Sequence, residues 1–447
     1  MTNYISHTDS DIREMLEVIG INNISDLFYD IPKGYEKKID YFSSKSEIDL
    51  KKIFYDYANK NVSLNNYISF LGGGAYQHFI PSIINHIAGR SEFYTAYTPY
   101  QPEISQGILK VIFEYQTMIS NLFGLEIANA SLYDGATALA EAVLMACSYT
   151  VKNKAAIDAG INPNYIKVLK TYLWAKGIEL TDLSGRSFDE TNVGINRKVE
   201  IKIDDNTACC VVPQIDFFGN IINLSGIAEK VQNKKALFIA VCDPIYLGLI
   251  KPPGEYNVDI AVGEGQSLGN ELGYGGPYLG LMSSKEHLLR FMPGRIVGET
   301  IDKDGKPGYV LTFQTREQHI RREKATSNIC SNEALVALRT AVFLSTVGRK
   351  GLREMAKQSL IKTNYMKNRF IDAGFKVLNI NNIFKEFVVE FDIDVKKISE
   401  KLFKNKIFGG IDLGMFYPSM KNYLLVAVTE MRTKEEIDKY IEILKSI

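Results

Sequence analysis

Apolar residues near the start of the chain recur at helical spacing. Those residues are Ile12, Met15, Leu16 and Ile19. The polar residues 8–10 offer a cap before this helix, and Gly20 offers a stop. A second short helix is predicted to begin behind Ser25, and the sequence at 31–34 breaks the pattern with Pro and Gly. We therefore expect residues 1–70 to form a helical arm outside the main core, of the kind that often wraps a partner subunit.

From residue 72 to about residue 310 the pattern alternates between helical and strand-like stretches. One long amphipathic helix is predicted from the apolar positions Ile108, Ile112, Tyr115, Ile119 and Leu122. The short apolar runs 208–212 and 237–241 end in polar or turn residues, as buried parallel strands do at the sheet edge where ligands bind. This alternation is typical of the α/β class and predicts a large α/β domain over residues 71–310.

A further unit is predicted beyond residue 311. Residues 386–391 and 423–428 have strand-like patterns, whereas residues 395–403 and 434–444 have helical ones. These elements predict a smaller C-terminal α/β domain over residues 311–447.

Composition narrows the classes of function. The 447 residues include 52 Lys plus Arg and 52 Asp plus Glu, so no overall field attracts nucleic acid or an anionic membrane surface. Nowhere do 18 uncharged apolar residues run together, and the polar start has no basic stretch leading into an apolar one. The five cysteines show no metal-ligand spacing. We expect a cytoplasmic protein with reduced thiols, no metal, no nucleic acid and no membrane partner.

A first candidate for chemistry lies at residues 134–137, before a helix rich in small residues. Free backbone N–H groups at a helix start, the close approach that Gly135 allows, and the hydroxyl of Thr137 suit a phosphate group. Ala136 lies between them. An ordinary capped helix without a ligand remains the alternative, because Asp and Gly both favour caps.

A second candidate is Asp243, which follows the apolar run 237–241. In pyridoxal-phosphate enzymes an aspartate at such a strand end pairs with the protonated pyridine nitrogen and makes the ring an electron sink. A turn aspartate before Pro244 is the alternative. The scaffold would normally present a lysine 20 to 30 residues later, yet no lysine lies between Lys251 and Lys285. Without an amine nucleophile this chain alone cannot form a Schiff base.

Three further stretches stand out. The seven glycines of residues 263–280 could let the backbone pass close to another chain or a ligand, or could form a flexible surface loop. Residues 94–103 carry three tyrosines at intervals of three, and such rings with polar tips are common at interfaces and pocket walls. A buried aromatic cluster is the alternative there. The charged run 314–324 holds arginines able to grip carboxylates, although a solvated helix face is the usual explanation, and His319 has no second histidine at ligand spacing.

Several of these stretches resemble the P-protein of glycine decarboxylase. The resemblance rests on YTAYTPYQPEISQG at 94–107, DGATALAEA at 134–142 and QTREQHIRREKATSNI at 314–329, and it runs nearly from end to end of the chain. P-proteins occur as one long chain with two homologous halves or as two subunits, and 447 residues fits the amino-terminal type, subunit 1. In the partner's lineage a His-Lys pair stands where Gln266 and Ser267 stand here, so Ser267 occupies the lysine position.

The resemblance implies a pyridoxal-phosphate-dependent transferase fold of type I, similar to aspartate aminotransferase, with no catalytic residue in this chain alone. It implies that pyridoxal phosphate sits in the homologous catalytic subunit 2, where glycine is bound and loses carbon dioxide, and that the aminomethyl group passes to the lipoyl arm of the H-protein. Gly135, Ala136, Thr137 and Asp243 would then be vestigial cofactor-binding residues. Residues expected at the interface, completing the partner's site, are Tyr94, Thr95, Tyr97, Thr98, Gln101 and Glu103.

Two other readings remain open. The chain could be a self-sufficient pyridoxal-phosphate enzyme that uses Lys251 or another unexpected lysine. It could instead be a binding or regulatory module that takes no part in catalysis. An exchange assay on this chain, on its partner and on both together separates the three.

Overall fold

The computed structural model describes residues 6–32, 34, 43–189, 194–196, 199–313, 318–325 and 327–446, with the side chain of residue 319 left out. Their contacts group into two compact units, Met1–Val62 and Ser63–Ile447.

The first unit contains helix α1 (Asp9–Ile19), a 3-10 helix (Ile24–Phe28) and helix α2 (Glu47–Ala58), none of which has a buried residue. Thr8 caps α1, and Gly20 ends it with a φ of 83°. The prediction of a helix starting behind Ser25 was wrong by two residues. The turn begins at Ile24 because the carboxylate of Asp26 accepts the N–H of Asn23 at 2.9 Å.

A seven-stranded sheet forms the centre of the second unit, in the order β2-β8-β7-β6-β5-β3-β4. Neighbouring strands from β4 to β7 run parallel, whereas β8 pairs antiparallel with both β7 and β2. The strands are β2 (Ile127–Ala128), β3 (Lys154–Ile157), β4 (Glu179–Asp182), β5 (Thr207–Pro213), β6 (Leu237–Cys242), β7 (Ile260–Glu264) and β8 (Gly280–Ser284). The four strands β5 to β8 are buried almost throughout, as strands covered on both faces must be.

Helices cover both faces of this sheet. Helices α6 (Gly135–Thr150) and α7 (Pro163–Lys176) share one apolar cluster with alternate residues of β3, β5, β6 and β7. The opposite face packs on α5 (Gln106–Phe123), α8 (Ile227–Gln232) and α10 (Ala334–Asp372), a helix interrupted at Gly348, where the backbone is non-helical. The core therefore lies in two layers around the sheet.

Smaller sheets and helices complete the second unit. A four-stranded antiparallel sheet has the order β11-β12-β15-β14, β9 and β10 form an antiparallel pair, and β1 pairs parallel with β13. These strands are β1 (Ile68–Ser69), β9 (Ile296–Ile301), β10 (Pro307–Thr312), β11 (Lys376–Val377), β12 (Glu386–Glu390), β13 (Ile407–Phe408), β14 (Ile411–Asp412) and β15 (Tyr423–Ala427). The remaining helices are α3 (Ser82–Ala88), α4 (Ser91–Tyr94), α9 (Gln318–Arg321), α11 (Val395–Lys404) and α12 (Lys434–Lys445).

The α/β class predicted from the sequence is confirmed. The structure has strands at the predicted runs 208–212, 237–241, 386–391 and 423–428. The three-part division at residues 70 and 310 stays a prediction. Across the described ranges, none of the helices combines the length and the apolar character that crossing a bilayer requires.

Candidate functional site

The carboxyl ends of β5, β6 and β7 and the start of α7 surround a small cavity. Asp243 follows β6, Glu264 ends β7, and Ser267 lies three residues further along. Parallel strands end at the same sheet edge, which is where open α/β sheets bind ligands. The cavity has a volume of about 80 Å³, and its wall includes Asp243, Glu264, Ser267, Tyr76, Tyr165 and Glu386.

The first turn of α6 is the predicted phosphate position, and the N–H groups of Gly135 and Thr137 have partners within the chain. One oxygen of Asp134 accepts both the N–H and the hydroxyl of Thr137, each at 2.7 Å. The carboxylate of Glu264 accepts the N–H of Gly135 at 2.9 Å. A Cβ on Gly135 would overlap the hydroxyl of Tyr165, so the glycine is required by close packing. Ala136 is buried beside it.

Asp243 pairs with a lysine that the sequence analysis missed. The Nζ of Lys385 donates to Asp243 Oδ2 at 2.6 Å, and the two side chains are 2% and 14% exposed. The other carboxylate oxygen accepts the N–H groups of Ile245 and Tyr246. The pair is therefore nearly dry, and the carboxylate is satisfied by its own chain.

Two buried glutamates face this cavity. Burial raises the pKa of Glu264 to about 7, and hydrogen bonds from the N–H groups of Gly135, Leu279 and Gln266 oppose that rise. Burial likewise raises the pKa of Glu386 to about 7, against the hydrogen bonds that it accepts from Tyr76 and Gly73. Protons are thus held on these carboxyls at pH values where exposed glutamates have lost them.

Residues 72–76, which include three glycines, close one side of the cavity. The side-chain amide of Gln266 accepts the N–H of Tyr76 at 2.9 Å and donates to its carbonyl at 3.1 Å. On the other side Glu386 accepts the N–H of Gly73 and the hydroxyl of Tyr76, both at 2.7 Å. Gln266, predicted only as a neighbour of the lysine position, holds the backbone of this stretch.

No lysine is among the described residues that line this cavity. Ser267 lines the cavity at the lysine position. Lys251 is 71% exposed and pairs with Glu255, and Lys285 pairs with Asp259 at 2.6 Å. Lys385 contacts the carboxylate that would have to hold the pyridine nitrogen, whereas a Schiff base forms on the opposite side of the ring. The reading of a self-sufficient enzyme with an unexpected lysine therefore finds no support in this geometry.

The residues of this cavity do not fit pyridoxal phosphate. The aspartate is paired with a lysine, the N–H groups of Gly135 and Thr137 are paired with carboxylates, and no amine among the described residues that line the cavity could bond the aldehyde. The space of about 80 Å³ is also well below the roughly 300 Å³ at which ligand pockets of this kind begin. The fold keeps the outline of a cofactor site whose charged groups are already paired within the chain.

The tyrosine segment, which we define as residues 94–103, lies away from this cavity and contributes nothing to its wall. The side chains of Tyr94 and Tyr97 are 67% and 83% exposed, which excludes the alternative of a buried aromatic cluster. Of the other predicted residues, Thr95, Gln101 and Glu103 are exposed and Thr98 is half-buried. Thr95, Tyr97 and Thr98 border a second, open cavity of about 640 Å³.

One buried arginine, also missed from the sequence, links this segment to the interior. Arg295 is 5% exposed and donates to the hydroxyl of Tyr100 at 3.1 Å, with its guanidinium 5.4 Å from the centre of that ring. It also donates to the carbonyl of Cys330 at 2.8 Å and to the side chains of Ser331 and Asn332. Its Nε has no hydrogen-bond partner in the described part of the chain.

The glycine-rich stretch 263–280 and the charged run 314–324 are the remaining predicted stretches. Residues 265–270 of the glycine-rich stretch are buried, and a Cβ on Gly269 would press on Phe343, so this half is not a surface loop, whereas most of residues 271–278 are exposed. Residues 314–317 of the charged run lie outside the described residues, as does the side chain of His319. Within the described ranges no group of three or more His, Cys, Asp or Glu could hold a metal ion.

Comparison with known proteins agrees with the resemblance seen in the sequence. The family model of the glycine cleavage system P-protein matches residues 2–444. The chain is 49% identical over 443 residues to a probable glycine dehydrogenase (decarboxylating) subunit 1 of Carboxydothermus hydrogenoformans, covering 99% of each. Its fold is similar to that of a glycine decarboxylase P-protein crystallised in inhibitor-bound form, with a TM-score of 0.91, 39% identity and full coverage of both chains. A cysteine desulfurase from Thermococcus onnurineus shares the fold alone, with a TM-score of 0.60 and 13% identity over 88% of this chain and 97% of that one.

Proposed function

The chain belongs to the family of the glycine cleavage system P-protein, and from this premise we propose that it completes an active site whose cofactor is held by a partner subunit. Its function is that of subunit 1 of glycine dehydrogenase (decarboxylating), with the type I fold of pyridoxal-phosphate enzymes. The name subunit 1 carried by its relatives implies a second subunit. The proposal concerns how the work is divided between the two.

One observation supports this division above all others. The position where the fold would hold pyridoxal phosphate is filled by the chain's own charged side chains, while the tyrosine segment is open to solvent. A chain that contributes to the enzyme without a cofactor site of its own must act through its surface. We place the cofactor, and with it the electron sink, on the homologous subunit 2.

The tyrosine segment has the chemistry that a neighbouring site would need. The hydroxyls of Tyr94 and Tyr97 and the carboxylate of Glu103 present donors and acceptors on a surface stiffened by aromatic rings and by Pro99 and Pro102. Such groups can orient the amine and carboxylate of glycine, or the lipoyl arm of the H-protein, and keep water away from the reacting carbon. We propose glycine as the substrate and the lipoyl arm of the H-protein as the acceptor.

The cysteines support a reducing location. All five are free thiols, and Cys147, Cys209, Cys210 and Cys242 are buried. Burial raises the pKa of Cys210 and of Cys209 well above that of a free thiol, which keeps both protonated and unreactive. We propose the cytoplasm as the compartment.

The test is the exchange of glycine carboxyl carbon with bicarbonate. We expect no exchange with this chain alone, little with the partner alone, and full exchange with both, because each contributes part of the site. Exchange by this chain alone would establish the self-sufficient enzyme, and full exchange by the partner alone would establish the regulatory module. Either result contradicts the proposal.

Removal of a single tyrosine hydroxyl tests whether the segment contributes to the activity of the complex. We expect Tyr97→Phe or Tyr94→Phe to lower exchange in the complex by about tenfold to a hundredfold, the loss of one oriented hydrogen bond, with the melting temperature unchanged. Tyr149→Phe is the matched control, because Tyr149 is also partly exposed but packs on His287 and Phe291 outside the segment. Full activity in both segment variants would leave the segment a structural role only.

A further inference from the structure

The two charged groups that pyridoxal phosphate would bring to this fold both have counterparts inside the chain. We propose that Lys385 and Glu264 are built-in substitutes for the pyridinium and the phosphate, so that this subunit keeps the architecture of a cofactor site in the absence of a ligand. The proposal concerns the free chain and does not depend on the role of the tyrosine segment.

Lys385 supplies the positive charge. Its ammonium donates to Asp243 at 2.6 Å and lies 4.3 Å from the centre of the Tyr76 ring, which gives it both a carboxylate and an aromatic face. An aspartate in a cofactor-binding relative would meet a ring cation at this position. Here the cation comes from a residue 142 positions further along the chain.

The backbone at Lys385 is held in a conformation that lysine rarely adopts. Its φ is 60°, in the left-handed region, which residues with a side chain seldom occupy. The following residue, Glu386, begins β12 and contributes its own carboxylate to the cavity wall. Such strain persists only where surrounding contacts fix it, and the buried pair with Asp243 is one of them.

Glu264 supplies the hydrogen-bond acceptor that a phosphate would offer. Its carboxylate accepts three backbone N–H groups, from Gly135 and Gln266 at 2.9 Å and from Leu279 at 3.1 Å. Gly135 is the first residue of a 16-residue helix, whose free N–H groups and dipole favour an anion at that end. A side-chain carboxylate therefore takes the place that an anionic ligand would occupy.

The stretch at residues 72–76 completes the replacement. Tyr76 is fixed by Gln266 through its backbone and by Glu386 through its hydroxyl, and both Gly74 and Tyr76 line the cavity. The space that is left, about 80 Å³, suffices for a few water molecules. In a ligand-binding relative, stability rises with ligand concentration. Internal pairs make the stability of this subunit independent of cofactor supply.

The first experiment is a double-mutant cycle on the full chain, followed by urea unfolding. Lys385→Met and Asp243→Asn should each lower the unfolding midpoint markedly, because each leaves a buried partner without its hydrogen bonds. The double variant should lose less than the sum of the two. Additive losses would mean that the two groups are not coupled, and would overturn the substitution of a pyridinium.

The second experiment asks whether a ligand can replace the side chains. The probe is pyridoxine 5′-phosphate, which has the ring nitrogen and the phosphate but no aldehyde, followed by equilibrium dialysis. We expect no saturable binding to the wild-type chain, and saturable binding to the variant Lys385→Met with Glu264→Ala, with a rise in its melting temperature. If this double variant does not fold, Lys385→Met alone is titrated with the same expectation at lower affinity.

A second ion pair, between a half-buried lysine and a buried aspartate, is the control. Lys285 pairs with Asp259 at 2.6 Å, away from the cavity. Lys285→Met should also lower the unfolding midpoint, yet it should bind no more of the probe than wild type does. Saturable binding by wild type, or equal binding by the Lys385 and Lys285 variants, would overturn the proposal and leave Lys385 an ordinary structural lysine.

Discussion

The cavity beside Ser267 and the tyrosine segment differ in where their polar groups point. In the cavity, Asp243 meets Lys385, Glu264 meets the start of α6, and Glu386 meets Tyr76, so the charged groups are satisfied within the chain. In the segment, Tyr94 and Tyr97 are directed at solvent. The part of the molecule with the shape of an active site is closed, and the part that looks like an ordinary loop is open.

Within one fold, the region that has the shape of a cofactor site and the region that is open to a partner can therefore be different parts of the molecule. Buried polar groups that are fully paired contribute to a unique structure, whereas exposed aromatic groups with polar tips are the residues that interfaces favour. The comparison predicts that substitutions in the cavity region will mainly change folding stability. Substitutions that affect the segment should mainly change activity in the assembled enzyme.

Arg295 links the tyrosine segment to residues 330–332 in the interior, and its replacement should have the largest effect. We expect Arg295→Lys to lower the free energy of unfolding by about 2–4 kcal/mol, because several hydrogen bonds to a buried guanidinium are lost. Exchange in the complex should also fall at least about tenfold, since the hydrogen bond from the guanidinium to the Tyr100 hydroxyl is lost. Urea unfolding and the exchange assay measure the two effects. Arg290→Lys, at an exposed arginine nearby, is the control.

If Arg295→Lys lowered stability without lowering activity, the order of the segment would not depend on this contact. The interior and the segment would then be energetically separate.

Two glycines at helix starts provide the next test. A Cβ on Gly135 would overlap Tyr165, whereas a Cβ on Gly107, in the first turn of α5 beside the segment, would meet no atom within 4 Å. We expect Gly135→Ala to cost about 1–3 kcal/mol of unfolding free energy through overpacking, and Gly107→Ala to be neutral or to stabilise by up to about 1 kcal/mol. Thermal unfolding of the free chain measures both. Equal tolerance at the two positions would show that the cavity is not closely packed.

The smallest expected effect is a dependence of stability on pH. Burial raises the pKa of Glu141, Glu264 and Glu386 to about 7. Between about pH 4.5 and pH 7 the folded state therefore binds more protons than the unfolded state. The free energy of unfolding that these groups contribute is lost as the pH rises through that window. Because one oxygen of Glu141 has no hydrogen-bond partner among the described residues, Glu141→Gln should remove its share, about 1–2 kcal/mol, with little strain.

Melting temperatures measured from pH 5 to pH 8 would show this decline as a slope. Glu103→Gln, at an exposed carboxylate of the segment, is the control and should leave the slope in place. A slope that survives Glu141→Gln unchanged would assign the effect to the other two glutamates or to none of the three.

Much of the fold could be predicted from local patterns in the sequence. The periodicity of residues 108–122 located α5, and the uniformly apolar runs located β5 and β6. The start of the 3-10 helix at Ile24 was misplaced because a single hydrogen bond from Asn23 to Asp26 decides it.

The site was harder to predict, because its pairs join distant parts of the chain. Lys385 lies 142 residues from Asp243, and Glu264 lies 129 residues from Gly135, so no spacing rule relates them. The absence of a lysine at position 267 was visible in the sequence. The pairing of Lys385 with Asp243 and of Glu264 with Gly135 was not. The exposure of Tyr94 and Tyr97 also depends on tertiary packing, which the segment's own residues do not reveal.

The uneven burial of the cysteines has a practical consequence. Four thiols lie in the core and Cys330 is exposed, in the loop whose carbonyl Arg295 holds. A maleimide dye added to the folded chain should therefore attach at one place, close to Arg295 and so to Tyr100. The emission of that dye would follow the approach of a second subunit in real time, and a titration would yield the association rate and the stoichiometry without any engineered cysteine.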